Sequence, residues 1–351
     1  MLRQIARLGR PVTGLGTGAL ALAVYSDATN TAVAAREAGF EGVACVDDAA
    51  RGLELYCDLW EATRLPWALR WCEGLLEFVL AMQDEDGRWV NFIVDWDGTA
   101  NRDARTSVAG GVFWQARALL ALARASRVLD DARIESALHR GLPHIADAEA
   151  PPDVRVLHIM TALALPDRAD DGGIGRLLAT WCDEVAGCRR GGMLMNAPLE
   201  RGHPHLWGHL QEAALADAGA RLGRDDLVDT ARRSAELVFA GIVEAGFDMP
   251  RTQPYDVASA VHVLGRVAEV TGDSRYAALA AAARGWFDGR NPAGRPVYDR
   301  VAGRVGDGVD GHRVSGNSGA ESNVVGAQAL LDDVVALARR LSPAEALPAG
   351  A

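Results

Sequence analysis

The chain has 351 residues and 49% hydrophobic residues, and its 36 basic residues, all arginine, face 47 acidic residues, for a formal net charge of −11. Without lysine the protein can form no Schiff base and can present no phosphate-loop lysine to a nucleotide. The acidic balance argues against nucleic-acid binding, which needs a basic surface to displace counterions. The hydrophobic content predicts a globular protein with a large core.

Cysteine usage and the N-terminus predict the compartment. The five cysteines are odd in number and form no C-x-x-C pair, which predicts free thiols in a reducing compartment rather than a zinc cluster. Three arginines precede the apolar stretch 14–24, but that stretch is short and interrupted by glycine, unlike a signal peptide. No run reaches the ~18–20 apolar residues of a membrane span. We expect a cytoplasmic protein without a membrane partner, with secretion as the alternative.

Along the chain, apolar residues recur almost everywhere at helical spacing. A repeated pattern joins two such helices through a short turn rich in Gly and Asp, at intervals of 40 to 53 residues. It occurs at Ser126–Ile134, Arg221–Leu227 and Val270–Tyr276, with weaker copies at Glu61–Trp67 and Leu165–Asp171, and the intervals are counted from Ile134 onwards. A period of this size with two helices per unit predicts stacked helical hairpins.

The remaining connections favour a closed ring over an open solenoid. They are long and rich in Trp, Asn, Asp and His, and they span Asp84–Arg105, Gly191–His205 and Arg290–Asn317. Loops of this kind gathered at one rim can build a pocket. We therefore predict an all-α fold, an (α/α)6 toroid at residues 25–340, with an N-terminal extension at 1–24 and a flexible tail at 341–351.

Two acidic sequences begin helices. Asp47 and Asp48 follow Glu41–Val46, and one of them would suffice as an N-cap, which leaves the other for chemistry. Near the other end, Ser318-x-x-Glu321 matches a capping box beside the polar Asn317. Capping and function remain open alternatives at both places.

Two aromatic segments are candidates for binding a sugar, which needs apolar ring faces beside hydrogen-bonding groups. The segment 87–97 combines aromatic with polar side chains, although its tryptophans could equally fill a gap in the core. Its candidates are Trp89, Asn91, Asp95 and Trp96. The segment 203–212 places His205, His209 and Glu212 on one face if it is helical, which favours a polar pocket lining over a metal site.

Six motifs, in order, resemble a bacterial group of (α/α)6-toroid proteins that look like glycoside hydrolases and often accompany glycosyltransferases. The group's usual patterns for five of them are V-D-D-N-A-R, G-R-F-x-N-F, Q-P-x-[ED], W-F-x-G-R-N and N-x-G-A-E-S. Here the matching segments are Glu41–Arg51, Gly87–Phe92, Gln253–Asp256, Trp286–Asn291, Tyr298–Asp299 and Asn317–Ser322. The resemblance runs from about Tyr25 to Leu337 and implies the toroid fold, a carbohydrate substrate and a link to a glycosyltransferase pathway.

The chain departs from that group at three places. Ala49 replaces an asparagine, Thr106–Gly111 replaces an acidic E-D-S-x-G-R stretch, and Leu206–Leu210 replaces Y-D-N-A-R. Two expected pocket segments have therefore lost carboxylates, and the second contains a histidine, His209, instead. Either the substrate differs or hydrolysis has been lost.

The leading hypothesis is a glycoside hydrolase-like enzyme without a cofactor or metal that acts on a neutral or cationic glycan by carboxylate acid/base catalysis. Glu321 would be the acid and Asp48 the base, and an inverting geometry predicts carboxyl groups ~6.5–9.5 Å apart. Asp47, Asp256 and Asp299 are further candidates. The substrate-binding candidates are Trp89, Asn91, Asp95, Trp96, Trp207, His205, His209, Gln253, Asp299 and Asn317.

Two alternatives remain. A lyase, epimerase or cyclase on the same scaffold would use His205 or His209 as its base. A terpene cyclase is the weaker version, since its cations need aromatic walls and the chain has 6% aromatic residues. A catalytically inactive glycan-binding protein would explain the lost carboxylates.

Overall fold

The computed structural model describes residues 1–33, 41–146, 149–166 and 173–348. Within these residues, twelve helices alternate along the chain as six antiparallel hairpins, each joining an odd-numbered helix to the even-numbered helix that follows. They are α1 Val46–Thr63, α2 Pro66–Ala81, α3 Val112–Ala125, α4 Ala132–Gly141, α5 Pro152–Ala164, α6 Ile174–Gly187, α7 Gln211–Leu222, α8 Asp225–Ala235, α9 Pro254–Thr271, α10 Ser274–Arg284, α11 Ala320–Ala329 and α12 Leu331–Ala338.

The odd-numbered helices form a closed inner ring. Helix α1 packs against α3, α3 against α5, and the contacts continue through α7, α9 and α11 until α11 returns to α1. The even-numbered helices pack outside their partners. This closure confirms the predicted (α/α)6 toroid and excludes the open solenoid.

The tight turns follow the local chemistry read from the sequence. Gly223 and Gly272 end α7 and α9 in the left-handed region, with φ of 66° and 71°, which glycine adopts without steric cost. The side chains of Asp131 and Asp273 accept backbone N–H groups at the starts of α4 and α10. These glycine and aspartate caps keep the turns of their hairpins short. Residues 167–171 of the turn predicted at Leu165–Asp171 lie outside the described residues.

The long connections run from an outer helix to the next inner helix, so they lie on the rim where the inner helices begin, as predicted. Short strands brace the rim in small antiparallel sheets. Within the described residues there are five of these sheets; one has three strands, β7, β10 and β11, and the other four have two. The strands are β1 Gly9–Pro11, β2 Leu20–Leu22, β3 Ala44–Cys45, β4 Phe92–Ile93, β5 Arg189–Arg190, β6 Met193–Leu194, β7 Arg251–Thr252, β8 Tyr298–Asp299, β9 Arg304–Val305, β10 Val309–Asp310 and β11 Arg313–Val314.

Both ends of the described chain pack on the ring. An N-terminal helix, Leu2–Leu8, lies against α11, and β2 lies against α2. Leu2 and Ile5 are fully buried. A short helix, Pro343–Ala346, contacts the N-terminal helix, and Trp71 Nε1 donates to the Ala346 carbonyl at 2.7 Å. The domain boundaries at 25 and 340 stay a prediction.

Four further short helical pieces complete the secondary structure of these residues: Pro143–Ala146, a π-helix Glu236–Ala240, Gly241–Glu244, and a 3-10 helix Gly285–Asp288. Among the helices described, none combines the length and the apolar character needed to cross a bilayer.

Candidate active site

A cavity of about 780 Å³ opens on the rim where the inner helices begin. Its size lies in the range of small-molecule sites. It is lined by the first turns of α1 and α11, by the residues before α9, and by Trp207 from the loop before α7. Residues distant in sequence therefore share one polar chamber.

The start of α1 is positioned by pairing between two of the sequence motifs. Strand β3 pairs with β4, which places Asn91 beside Asp47. Asn91 is 2% exposed, its Oδ1 accepts the Asp47 N–H at 3.2 Å, and its Nδ2 lies 3.4 Å from Asp47 Oδ2. Asn91 therefore orients Asp47 from below the cavity and does not itself line the cavity.

The capping interpretations of the acidic residues are wrong. Helix α1 has Cys45 as its N-cap, without a side-chain cap, and Asp47 and Asp48 lie in its first turn. Helix α11 has Gly319 as its N-cap, and Ser318 Oγ donates to the Val305 carbonyl at 2.7 Å instead of capping. The carboxylates at both helix starts are consequently free to make other contacts.

Those contacts are made to one arginine. Arg51 Nη1 lies 3.3 Å from Asp48 Oδ1, and Arg51 Nη2 lies 2.7 Å from Glu321 Oε1. Since both nitrogens belong to one planar guanidinium, the two carboxylate oxygens are at most about 8 Å apart. The structure thus brings Asp48 and Glu321 together from opposite ends of the chain.

A second arginine pairs with the neighbouring carboxylate. Arg117 Nε on α3 lies 3.0 Å from Asp47 Oδ1, and its guanidinium lies 5.9 Å from the ring centroids of both Trp207 and Phe113. The two rings are 5.2 Å apart. Trp207 is therefore held with its ring on the cavity wall, where an apolar sugar face can stack.

The two acidic side chains of the pair, Asp48 and Glu321, differ in burial and therefore in their electrostatic environment. Burial raises the pKa of Asp48 to about 7, while the Arg51 guanidinium opposes this rise and the charges of Glu321 and Asp47 add to it. The Glu321 side chain is 31% exposed, against 5% for Asp48. The site therefore holds one buried carboxyl group, Asp48, with a pKa near neutral pH beside a second acidic side chain, Glu321, that is partly exposed to solvent.

A further acid lies one turn below Arg51 on α1. Glu54 Oε2 is 3.7 Å from Arg124 Nε, and the Glu54 side chain is 12% exposed. Burial raises the pKa of Glu54 to about 7, against the favourable charges of Arg124 and Arg117. The charged face of α1 thus continues below the cavity.

The residues before α9 and α11 complete the wall. Gln253 is the N-cap of α9, and Asp256 accepts the Gln253 N–H at 2.8 Å in a true capping box, so capping accounts for Asp256. Burial raises the pKa of Asp256 to about 6. Tyr255 donates to the Gln253 side chain, and Asn317 donates to Tyr25, and all four line the cavity.

Residues 203–210 are not helical, so His205, His209 and Glu212 do not share one helix face, and the two predicted histidines lie in different surroundings. His209 is fully buried, with Nδ1 2.8 Å from Asn196 Oδ1 and Nε2 3.1 Å from Glu212 Oε1. It cannot reach a substrate, so the prediction that His209 binds substrate is wrong, and its role is structural. His205 remains half-exposed, 4.0 Å from Asp153 and beside Trp207.

Four other predicted binding residues lie elsewhere. Trp89 is fully buried, and its Nε1 donates to the Val79 carbonyl at 2.8 Å, so it fills the core and offers no face to a sugar. Trp96 packs against the core, and Asp95 accepts the Trp96 N–H within the same loop. Asp299 accepts two N–H groups in the β8–β9 hairpin turn.

Sequence reasoning missed the arginines of the site. Arg51 stands three positions after Asp48 and so shares its helix face, a signal that the motif contained. Arg117 stands between buried alanines in the middle of α3, which was a second signal. Arg251 and Arg313, which also line the cavity, lie in short strands that no periodicity marks.

Comparison with protein-family models and with curated protein sequences finds no match. Among solved structures, the chain is similar to a sugar epimerase from a ruminal bacterium, with a TM-score of 0.72, 12% identity, and coverage of 96% of this chain and 95% of that one. It is similar to a D-mannose isomerase, with a TM-score of 0.68, 10% identity and 95% coverage of both chains. It is also similar to a family 88 glycosyl hydrolase from Bacteroides vulgatus, with a TM-score of 0.57, 10% identity and coverage of 82% and 92%. At these identities the likeness establishes the fold alone.

Proposed function

We propose that the protein is a carbohydrate-active enzyme that hydrolyses a glycosidic bond, with Asp48 and Glu321 as its acid/base pair. The observation that carries this proposal is the pairing of both carboxylates with one guanidinium at the same cavity. Their separation of at most about 8 Å is compatible with the ~6.5–9.5 Å of inverting glycosidases, which leaves room for a water molecule. The toroid fold, shared with a family 88 glycosyl hydrolase, supports the same reaction class.

The electrostatics favour roles opposite to those expected from the sequence. Asp48 carries a proton near neutral pH because burial raises its pKa to about 7, so it suits the general acid that protonates the glycosidic oxygen. Glu321, paired with Arg51 and partly exposed, suits the general base. The base takes a proton from water, the water oxygen bonds to the anomeric carbon, and the bond to the leaving oxygen breaks.

The test is turnover of aryl glycosides by Asp48→Asn and Glu321→Gln, with Asp332→Asn on the outer helix α12 as the matched control. General acid/base groups typically contribute ~10²–10⁴-fold, so both site variants should lose that much kcat while the control retains the parent rate. A dinitrophenyl leaving group needs no protonation and should restore much of the rate to Asp48→Asn but not to Glu321→Gln. NMR of the first-formed anomer should show inversion.

One result would refute the roles assigned to Asp48 and Glu321, and a second would refute hydrolysis itself. Folded Asp48→Asn or Glu321→Gln with the parent kcat would remove the assigned roles. A parent protein that binds sugars but turns over no glycoside would favour the inactive glycan-binding protein.

A second candidate is sugar epimerisation or isomerisation, supported by the similarity to a sugar epimerase and a D-mannose isomerase over nearly the whole chain. The half-exposed His205 beside Trp207 would be its base. Such a reaction removes a proton from the carbon next to the carbonyl, so NMR in deuterated water would show exchange at that carbon. Exchange that disappears in His205→Asn would favour this candidate over hydrolysis.

A further inference from the structure

The three-stranded sheet β11–β10–β7 presents a row of charged residues to the cavity. Asp310 in the central strand is directly opposite Arg251 on one side and Arg313 on the other. The next register position, at Val309, faces the core and is 2% exposed. Because side chains alternate along a strand, Arg251, Asp310 and Arg313 share the opposite face, and all three are exposed and line the cavity.

This row carries a net positive charge, unlike the rest of the site. Arg51 and Arg117 are each paired with carboxylates, as described above. Within the part of the chain that the structure describes, no ion pair within 4.0 Å involves Arg251 or Arg313. Burial raises the pKa of Asp256, Asp307 and Tyr255, and the charge of Arg251 opposes this rise in all three. Arg251 is therefore within electrostatic reach of these residues.

The spacing of the two arginines suits one shared anion. Neighbouring strands lie ~4.8 Å apart, so the backbones of Arg251 and Arg313 are about 10 Å apart across β10. Long arginine side chains from both sides can converge over this gap, and the guanidinium fork matches the oxygens of a carboxylate or a phosphate. Gly308 lets the strands approach closely, since a Cβ there would lie 2.5 Å from the Thr252 carbonyl oxygen.

We propose that Arg251 and Arg313 bind an anionic group on the sugar, so that the substrate is an acidic saccharide rather than the neutral or cationic glycan expected from the sequence. The anion is the carboxylate of a uronic acid or the phosphate of a sugar phosphate. This inference rests on the proposed function for the identity of the cavity as a sugar site. The negative charge of Asp310, which lies between the two arginines, weakens their binding of an anion. We therefore expect a moderate affinity for the acidic sugar.

Calorimetry tests the proposal with matched sets of sugars in the gluco, galacto and manno series, each set containing the neutral sugar, the uronic acid and the 6-phosphate. At least one acidic sugar should bind tenfold or more tightly than its neutral counterpart. Arg251→Gln and Arg313→Gln should each weaken that binding about tenfold, and Asp310→Asn should tighten it several-fold. Arg221→Gln, which removes an exposed arginine on α7, should leave it unchanged. A preference for the uronic acid or for the phosphate identifies the anion.

The proposal is overturned if no acidic sugar binds more tightly than its neutral counterpart, or if Arg251→Gln and Arg313→Gln bind as Arg221→Gln does. The outcome is separable from the proposed hydrolysis. Arginine-dependent binding of an acidic sugar without turnover of its glycosides would refute hydrolysis alone. Turnover of neutral glycosides that is indifferent to both arginine variants would refute the acidic substrate alone.

Discussion

Glu54 provides a quantitative test of the charge arrangement inside the ring. It lies on α1 below the cavity, and burial raises its pKa from 4.5 to about 7 despite Arg124 at 3.7 Å. Replacing it with glutamine keeps the shape and removes the titration. Arg124 retains a second carboxylate partner in Asp58, so the substitution does not leave a cation unpaired.

The sign and size follow from proton linkage. The folded-state pKa lies above the unfolded one, so the folded protein binds more protons between these values, and its free energy of unfolding falls as pH rises through that window. One pKa unit corresponds to about 1.4 kcal/mol, so Glu54 should cost roughly 3 kcal/mol of stability once pH exceeds about 7. The loss begins above pH 4.5 and is complete near pH 7. Glu54→Gln should lack it.

The assay is urea unfolding followed by circular dichroism from pH 4 to pH 8, which gives the free energy of unfolding at each pH. The difference between Glu54→Gln and the parent should move by roughly 3 kcal/mol in favour of the variant across this range. Glu61→Gln is the matched control, since it makes the same chemical change at an exposed site of the same helix. Parallel curves for parent and Glu54→Gln would refute the buried, proton-binding state of Glu54.

Two further substitutions separate binding from folding. Trp207→Ala should abolish measurable sugar binding in calorimetry and should change the free energy of unfolding by less than about 1.5 kcal/mol. Trp89→Ala should lower the free energy of unfolding in urea by about 3–5 kcal/mol because it leaves a cavity in the core. Equal losses of stability in the two variants would contradict this assignment. His209→Leu should cost about 1–3 kcal/mol because it removes one of the two hydrogen bonds described for the buried Glu212 carboxyl group, which keeps Ser234 Oγ as its donor. The double variant with Glu212→Leu should recover part of that loss in the same assay, and an additive double loss would show that the two side chains do not interact.

The fold was readable from the sequence because its determinants are local. Helical periodicity specifies the hairpins, and several have a short turn with Gly or Asp at a defined position, as at Gly223 and Asp273. The long loops on one rim then follow from the alternation of short and long connections. The turn pattern marks five of the six hairpins; the sixth, α11–α12, turns at Leu330 without that pattern, and the resemblance to (α/α)6-toroid proteins implied it.

The site was only partly readable, because contacts between distant segments decide which polar residues meet. Asp48 and Glu321 were found from their unusual placement at helix starts. Trp89 and Trp207 look equivalent in sequence, yet one is enclosed by helices and the other faces the cavity. The arginines were missed because all 36 basic residues are arginine, so composition does not distinguish the few that line the cavity.

The closure of the ring has a consequence for how activity arises during folding. Helix α11 docks on α1 through the Arg51–Glu321 pair and through Gln328, whose Nε2 donates to the Arg51 carbonyl 277 residues away in sequence. Contacts of such high sequence separation form late, because a long loop must close before they gain any energy. Each hairpin can therefore become helical well before Asp48 and Glu321 meet. The proposed site is complete only after this docking, so under the proposed function recovered activity would be a more stringent measure of complete refolding than recovered helix content.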